Sequence, residues 1–371
     1  MNYIKQLDSI RAIAVILVIV WHWVPRNSVI DNLHLGAFGV NMFFVLSGFL
    51  ITRILLFNRK RAEASGSSKT KLLKNFYTRR MLRIFPVYYL TIILALIFNH
   101  WLSLGVTKNE ILSNLTYTSN FFIYSTKAWP LSSLHFWSLA VEEQFYLAWP
   151  LLILFWPKKY LLQVFLLSIA AGLGSQLLIT DHEFGNVPTI TCLDCFGAGG
   201  LLAFITMYHQ NLLKRTYQVL AILTLVTVVV LFISSQFGLY ITCLRFIHSI
   251  ISCCIICHIL LYRNQKSPLI TMLNNRLLIK IGKVSYGIYL YHMLYVYFAS
   301  SIWYQYLFDY YSPFINRVFE PWIFLSINFW VLYFVAQLSW RFIEKPLLGF
   351  KPKYKFETVH REMRAKLSEA S

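Results

Sequence analysis

Charge is scarce in this chain. Only 13% of its 371 residues are charged and 57% are hydrophobic, with long apolar runs recurring from end to end. That excludes a soluble domain, which could not hide so many such runs in its core. A cleavable leader is not expected either. The first run starts too near the N-terminus, lacks a small-residue cleavage site and holds Asp8 and Arg11, so it reads as a retained span. A spaced cysteine framework is missing from the loops. All six cysteines lie in or at apolar stretches, where cysteine serves as a small packing residue, and neither a disulfide nor a metal is expected. No internal repeat is visible, which weakens an inverted-repeat transporter reading. Acidic residues number 15 against 34 lysines and arginines, a net charge of +19. Such an excess invites a nucleic-acid partner. Basic residues dispersed over every loop on one membrane face are what topology alone requires, however, so none is expected.

What is present is a series of runs of about 20 apolar residues, the length that crosses a ~30 Å hydrocarbon core. They fall near 8–24, 37–57, 83–102, 138–156, 160–179, 190–208, 217–235, 239–261, 281–301 and 321–343. The expected fold is therefore all-α: a polytopic bundle of about ten transmembrane helices with both termini on one side. Of the basic residues, only Arg26, Lys108, Lys127 and Arg317 fall on the opposite face and only Arg11, Arg53 and Arg245 within spans. The N-terminal face is accordingly expected to be cytoplasmic. Acidic Asp31, Glu110, Asp181, Glu183, Asp309 and Glu320 fit the outer side. Residues 1–350 form one membrane domain, 58–79 a flexible polar connection, and 351–371 a short basic cytoplasmic tail too small for a domain of its own.

The polar residues left inside apolar spans carry the chemistry, because an ionised Asp or Arg near mid-bilayer costs about 2.5–3.5 kcal/mol and so faces protein or a polar cavity. In "LDSIRAIAVILVIVWHW", Arg11 and His22 are eleven residues apart. They share one helical face with a rise of about 16 Å between them, and Asp8 can pair with Arg11. In "HFWSLAVEEQFYLAWP", His135, Glu142 and Glu143 lie in the outer part of the fourth span. The two glutamates point about 100° apart, so only one is expected to face the interior. Asp194 joins that outer layer. In "TRRMLRIFPVYYL", Arg79, Arg80 and Arg83 cluster at the inner mouth of the third span, where guanidiniums suit phosphate; anchoring by positive charge explains them equally well. In "GKVSYGIYLYHMLYVYF", Ser285, Tyr289 and His292 line one stripe, and a structural histidine bonded to a neighbour is the plain alternative. In "FGVNMFFVLSGFLIT", Gly39 and Gly48 suggest close packing. Ser47 as a nucleophile would need a base within reach, which the sequence does not place.

The stretches "LDSIRAIAVILVIVWH", "GVNMFFVLSGFLIT", "RRMLRIFPVYYL", "WSLAVEEQFYLAWPLL", "GKVSYGIYLYH" and "WRFIEKP" stand in the order and spacing seen in membrane acyltransferase family 3, and the chain resembles that family over about residues 3–350. The combination looks like the bacterial O-acetyltransferases that modify lipopolysaccharide O-antigen, exopolysaccharide or lipo-oligosaccharide. The resemblance implies transfer of an acyl group, most simply acetyl from cytoplasmic acetyl-CoA, to a glycan hydroxyl by a multi-pass protein of the bacterial cytoplasmic (inner) membrane. It implies functional roles for Arg11, His22, Arg80 and Arg83. Family members often carry an arginine near the start of the sixth span. Here that region reads "TITCLDCFGAGGLLA", with Asp194 and no arginine. Some relatives append an extracytoplasmic esterase-like domain; here acceptor specificity is expected to come from the bundle and its external loops.

On this reading Arg79, Arg80 and Arg83, with Lys283 beside them, hold the donor's phosphates, and Arg11 lines the path of the pantetheine arm. Neutral His22 acts as general base on the acceptor hydroxyl. Glu142 or Glu143 orients the imidazole or bonds the sugar, His292 and Tyr289 support the site, and Ser47 and Asp194 are candidate substrate contacts. Direct transfer and an acyl-enzyme both stay open. A proton-coupled transporter using His22, Glu142, Asp194 and His292 as a relay is the rival from another class. A non-catalytic partner of a polysaccharide synthase is a third. Acyl-CoA, a carbohydrate or lipid-linked glycan and membrane lipids are the expected partners.

Overall fold

The computed structural model describes residues 3–24, 34–102, 105–131, 133–237, 241–302 and 320–350. The tail 351–371 and the external positions Arg26, Asp31, Asp309 and Arg317 lie outside the described residues. Among the latter every regular element is helical: α1 Gln6–Trp23, α2 Leu35–Ser65, α3 Lys69–Leu102, α4 Lys108–Leu115, α5 Ser119–Thr126, α6 Phe136–Phe155, α7 Leu161–Leu178, α8 Leu193–Tyr208, α9 Leu213–Phe237, α10 Leu244–Tyr262, α11 Pro268–Leu273, α12 Arg276–Lys283, α13 Ser285–Ile302 and α14 Glu320–Ser339, which runs on through a π-helix, Trp340–Glu344, to a last turn, Lys345–Leu348. Nine of these stretches are long and apolar enough to cross a membrane. They match nine of the ten expected spans. The tenth, 281–301, is broken at Val284, and its longer part is the tyrosine-rich α13.

The connection 58–79 is not the flexible loop that its polar composition suggests. It is helical on both sides of one tight turn, with α2 running to Ser65 and α3 starting at Lys69. The stretch "NRKRAEAS" is made largely of good helix formers, and Arg59 pairs with Glu63 one turn on at 2.8 Å. Gly66 then ends α2 in the left-handed region, φ 67°, with its N–H bonded to Ala62 O. Arg59 also donates to the Ile153 and Trp156 carbonyls at 2.7 and 2.8 Å, capping the end of α6.

The bundle is built around α2, which packs against α1, α6, α8 and α10. Helices in lipid gain little from the hydrophobic effect on meeting each other, so close approach through small residues does the work. At Gly48 a Cβ would sit 2.3 Å from Phe196 O, and at Gly199 one would sit 2.1 Å from Val45 O, so α2 and α8 touch backbone to backbone. By contrast α9 buries none of its apolar window and turns Ile222, Leu225, Val226 and Phe232 outward, as a lipid-facing helix does. The start of α1 is pinned at one end of the bundle: Ser9 Oγ donates to Leu273 O at 2.6 Å and Gln6 Nε2 to Asn274 Oδ1 at 3.0 Å. The opposite end carries α4, α5 and the turn after α7, joined by an ion pair of 2.5 Å between Lys127 and Asp181.

Candidate active site

Five helices enclose a cavity holding about 770 Å³ of space free of protein atoms, part of it open to solvent. α1 contributes Arg11, α2 Ser47, α3 Arg80 and Arg83, α6 Ser138, Glu142 and Tyr146, and α13 Ser285 and Tyr289. Residues from five sequence stretches thus share one space inside an apolar bundle. Arg11 keeps Asp8 as its partner at 2.9 Å, the i, i+3 pairing expected of the first helix. The Arg80 guanidinium carbon lies 4.8 Å from the centroid of the Tyr146 ring and 5.6 Å from that of Phe76, so its plane is steadied by aromatic faces on two helices.

The same cavity holds a hydroxyl–carboxylate group. Ser47 Oγ donates to Glu142 Oε1 at 2.5 Å and lies 3.1 Å from the Tyr146 hydroxyl. Glu143, one residue on, points elsewhere, to the side of Tyr88, Tyr89 and Tyr117. The 100° step along α6 therefore selects Glu142 for the cavity.

Tyr289 links the cavity to a histidine cluster. Its hydroxyl lies 2.5 Å from Ser138 Oγ. Its ring centroid is 5.4 Å from that of His292 and 5.6 Å from that of His135. His292 lies between His135 and His22, at 4.6 and 5.2 Å between centroids. The imidazole tautomers follow from the acceptors they meet: His135 donates from Nε2 to Leu290 O at 3.1 Å, and His292 from Nδ1 to Tyr289 O at 2.6 Å. Their other nitrogens, His135 Nδ1 and His292 Nε2, are buried acceptors with no partner among the described residues. Both rings are thus fixed in orientation and leave a lone pair for a hydroxyl. His22 is half-buried against this cluster and is not itself a cavity-lining residue.

The other sequence candidates stand apart. Arg79 and Lys283 do not line the cavity, and Lys283 is exposed at the end of α12. Asp194 is fully buried in the first turn of α8, packed on Gly172 of α7. Arg245 of α10 stands at the same end of α8, and its guanidinium bonds the Cys192 thiol and, at 2.5 Å, Asn186 O. An arginine is therefore present at the start of α8, supplied by a different helix from the one whose sequence lacks it. All six cysteines are free thiols.

Three participants escaped the sequence reading. Tyr146 and Ser138 are cavity walls; their one-turn spacing to Glu142 on the same helix was the available signal. Glu344, in the closing "WRFIEKP", is buried on the side of Arg83. The π-helix there adds a residue to the turn and rotates the side chains that follow, which a 3.6-residue period does not anticipate.

No solved structure matches the chain. Sequence relatives do. The peptidoglycan O-acetyltransferase OatA of Listeria monocytogenes is 28% identical over 399 residues, covering 96% of this chain and 59% of that protein. The O-acetyltransferase OatA of Staphylococcus aureus strain NCTC 8325 is 29% identical over 384 residues, covering 94% of this chain and 58% of the relative. The chain thus spans somewhat over half the length of these proteins. A family model for the acyltransferase domain matches residues 4–341, nearly the whole membrane bundle. With that match added to the ordered motifs, this multi-pass membrane protein belongs to acyltransferase family 3.

Proposed function

We propose that the protein is a membrane O-acetyltransferase that moves an acetyl group from cytoplasmic acetyl-CoA to a hydroxyl of a cell-envelope glycan, working in the cytoplasmic membrane of a bacterium with its N-terminal end inside. The observation that carries this reading is the single cavity in which Arg11, Arg80 and Arg83 meet a Ser47–Glu142 pair. Coenzyme A presents several phosphate charges on a flexible arm. Guanidiniums offer forked donors to phosphate oxygens, each such charge-assisted bond contributing about 1.5–3 kcal/mol. Arg80 and Arg83 hold the phosphates, and Arg11 lines the way for the pantetheine arm. Arg79 and Lys283, which stand off the cavity, attract the anion toward its mouth.

The acceptor hydroxyl is received at the histidine cluster. His22 takes its proton as general base, while the open lone pairs of His135 and His292 accept hydrogen bonds from neighbouring sugar hydroxyls. Tyr289, bonded to Ser138, separates the two halves of the site and is one hydroxyl donor available to a developing oxyanion. Asp194 acts at a distance, through the α7–α8–α10 packing. Among acceptors, peptidoglycan joins O-antigen, exopolysaccharide and lipo-oligosaccharide as a candidate, because that is the substrate in the Listeria relative's name.

Protein reconstituted in lipid discs and supplied with radiolabelled acetyl-CoA is expected to transfer or hydrolyse the acetyl group. A transporter would do neither. Mass spectrometry of envelope glycans from cells with and without the protein is expected to show a difference of one acetyl unit, and fragmentation would locate it. An unchanged glycan with no turnover of the donor would remove this reading.

A further inference from the structure

Hydroxyls inside apolar helices ordinarily turn back onto a carbonyl of their own helix, which satisfies the donor at little cost. This protein follows the habit: Thr91 bonds Val87 O at 2.7 Å, Ser168 bonds Val164 O at 2.8 Å, and Thr206 bonds Ala203 O at 2.7 Å. Ser47 breaks it. Its hydroxyl turns into the cavity and donates to a carboxylate oxygen of another helix, Glu142 Oε1, at 2.5 Å. The Tyr146 hydroxyl stands 3.1 Å from the same Oγ, and Arg80 and Arg11 are the cations that bear on Glu142. The height of Ser47 is fixed by its neighbour Gly48, where a side chain would meet the Phe196 carbonyl of α8 at 2.3 Å. A hydroxyl within hydrogen-bond reach of a base, in a cavity with a second hydroxyl donor beside it, is the arrangement of an activated nucleophile.

We propose that Ser47 carries the acyl group as a covalent ester between donor and acceptor, with Glu142 as its base. The proposal rests on the acyl-transfer reading above and decides between its two open routes. In the first step Glu142 takes the Ser47 proton as Oγ attacks the thioester carbonyl. The Tyr146 hydroxyl donates to the oxyanion, the C–S bond breaks, and coenzyme A leaves as a thiolate toward Arg80, Arg83 and Arg11. In the second step the acceptor oxygen attacks the Ser47 ester, and its proton passes beyond Tyr289 to the histidine cluster, where His22 holds it. The bond from Oγ to the acyl carbon breaks, and Oγ recovers its proton from Glu142. The balance is one thioester and one alcohol converted to one ester, a thiolate and a proton held on His22, which is released to solvent with the products. A covalent stage lets donor and acceptor occupy the cavity in turn, so neither needs to reach past the other.

The test is labelling of the full chain in lipid discs with radiolabelled acetyl-CoA and no acceptor, quenched in acid and mapped by peptide mass spectrometry. Wild-type protein is expected to carry acetyl on Ser47. Ser47→Ala is expected to lose the label and to transfer about 10³-fold more slowly, while binding acetyl-CoA within about twofold of wild type. Ser47→Cys is expected to form a thioester, distinguished from the serine ester by its release in neutral hydroxylamine, and Glu142→Gln to slow labelling by about 10²-fold or more. Wild-type protein that binds acetyl-CoA yet carries no acetyl on Ser47, or carries it on His22 instead, would overturn the serine ester and leave the acyl-transfer reading standing. Failure of the wild type to bind or turn over acetyl-CoA at all would remove both. The wild-type arm needs no variant to fold.

Discussion

Arginine and histidine divide the site between them, and each division makes a measurable claim. On the proposed donor site, Arg80→Ala with Arg83→Ala should raise the dissociation constant for acetyl-CoA by about 10²-fold or more, from about 1.5–3 kcal/mol per charge-assisted bond. Isothermal titration of the protein in lipid discs reads this directly. His22→Ala should leave that constant within about twofold while lowering acetyl transfer by about 10²–10⁴-fold, the range for loss of a general base. If the two variants exchange behaviour, the roles given to the two ends of the site are reversed. Adjacent glutamates offer a comparison from one helix: Glu142 bonds Ser47 in the cavity, whereas Glu143 lies toward tyrosines outside it. Their variants should therefore differ in effect despite identical chemistry.

At the scale of the element, helix contact controls where these side chains stand. Gly199→Ala would push a methyl to 2.1 Å from Val45 O and 2.7 Å from Phe49 N, both backbone atoms of α2, so the helices must part. Overpacking of this kind costs about 1–3 kcal/mol, and the unfolding midpoint in detergent should fall. Gly174→Ala is the control: nothing lies within 4 Å of its added carbon, and the gain in helix propensity of about 0.8–1 kcal/mol makes it neutral or stabilising. The outer loops are held differently. Lys127 donates to Asp181, as do the N–H groups of Phe184 and Glu183, and these hold the carboxyl below the ordinary aspartate range. A depressed acid contributes its stability above the unfolded value of about 4 and loses it as pH falls through the lower folded value. Hydrogen-exchange protection in segment 181–185, taken relative to the intrinsic rate at each pH, should therefore be high at pH 7 and fall below about pH 4, a loss that Lys127→Ala should reproduce at neutral pH. Equal protection at both pH values would show that the pair does not hold the loop.

The whole molecule is a polar cavity held in an apolar bundle, and its orientation decides which substrate meets which end. The dispersion of Lys and Arg over one face predicts that the turn at Gly66 is cytoplasmic. A cysteine placed at exposed Ser68 should react with a membrane-impermeant maleimide only after cells are opened, and one at exposed Ala128 should react from outside. The opposite pattern would invert the bundle and place the arginine cavity's donor on the wrong side.

The sequence by itself determined nine of the ten expected spans, because crossing a membrane requires only a length of apolar residues, a local property. It also determined the Asp8–Arg11 pair, one turn apart on one helix, and the divergence of Glu142 from Glu143. The polar stretch 58–79 shows where composition misleads: residues that look like loop continue two helices once a salt bridge, a cap on α6 and a glycine turn are available to them. Only the tertiary structure decided that Ser47 has Glu142 for a neighbour, 95 residues away, that Tyr289 joins the cavity to the histidines, and that Arg245 of α10 meets Cys192 at the start of α8. Such pairings depend on which helix faces meet and at what height, and that is set by close backbone contacts at glycines such as Gly48 and Gly199. No single helix encodes them.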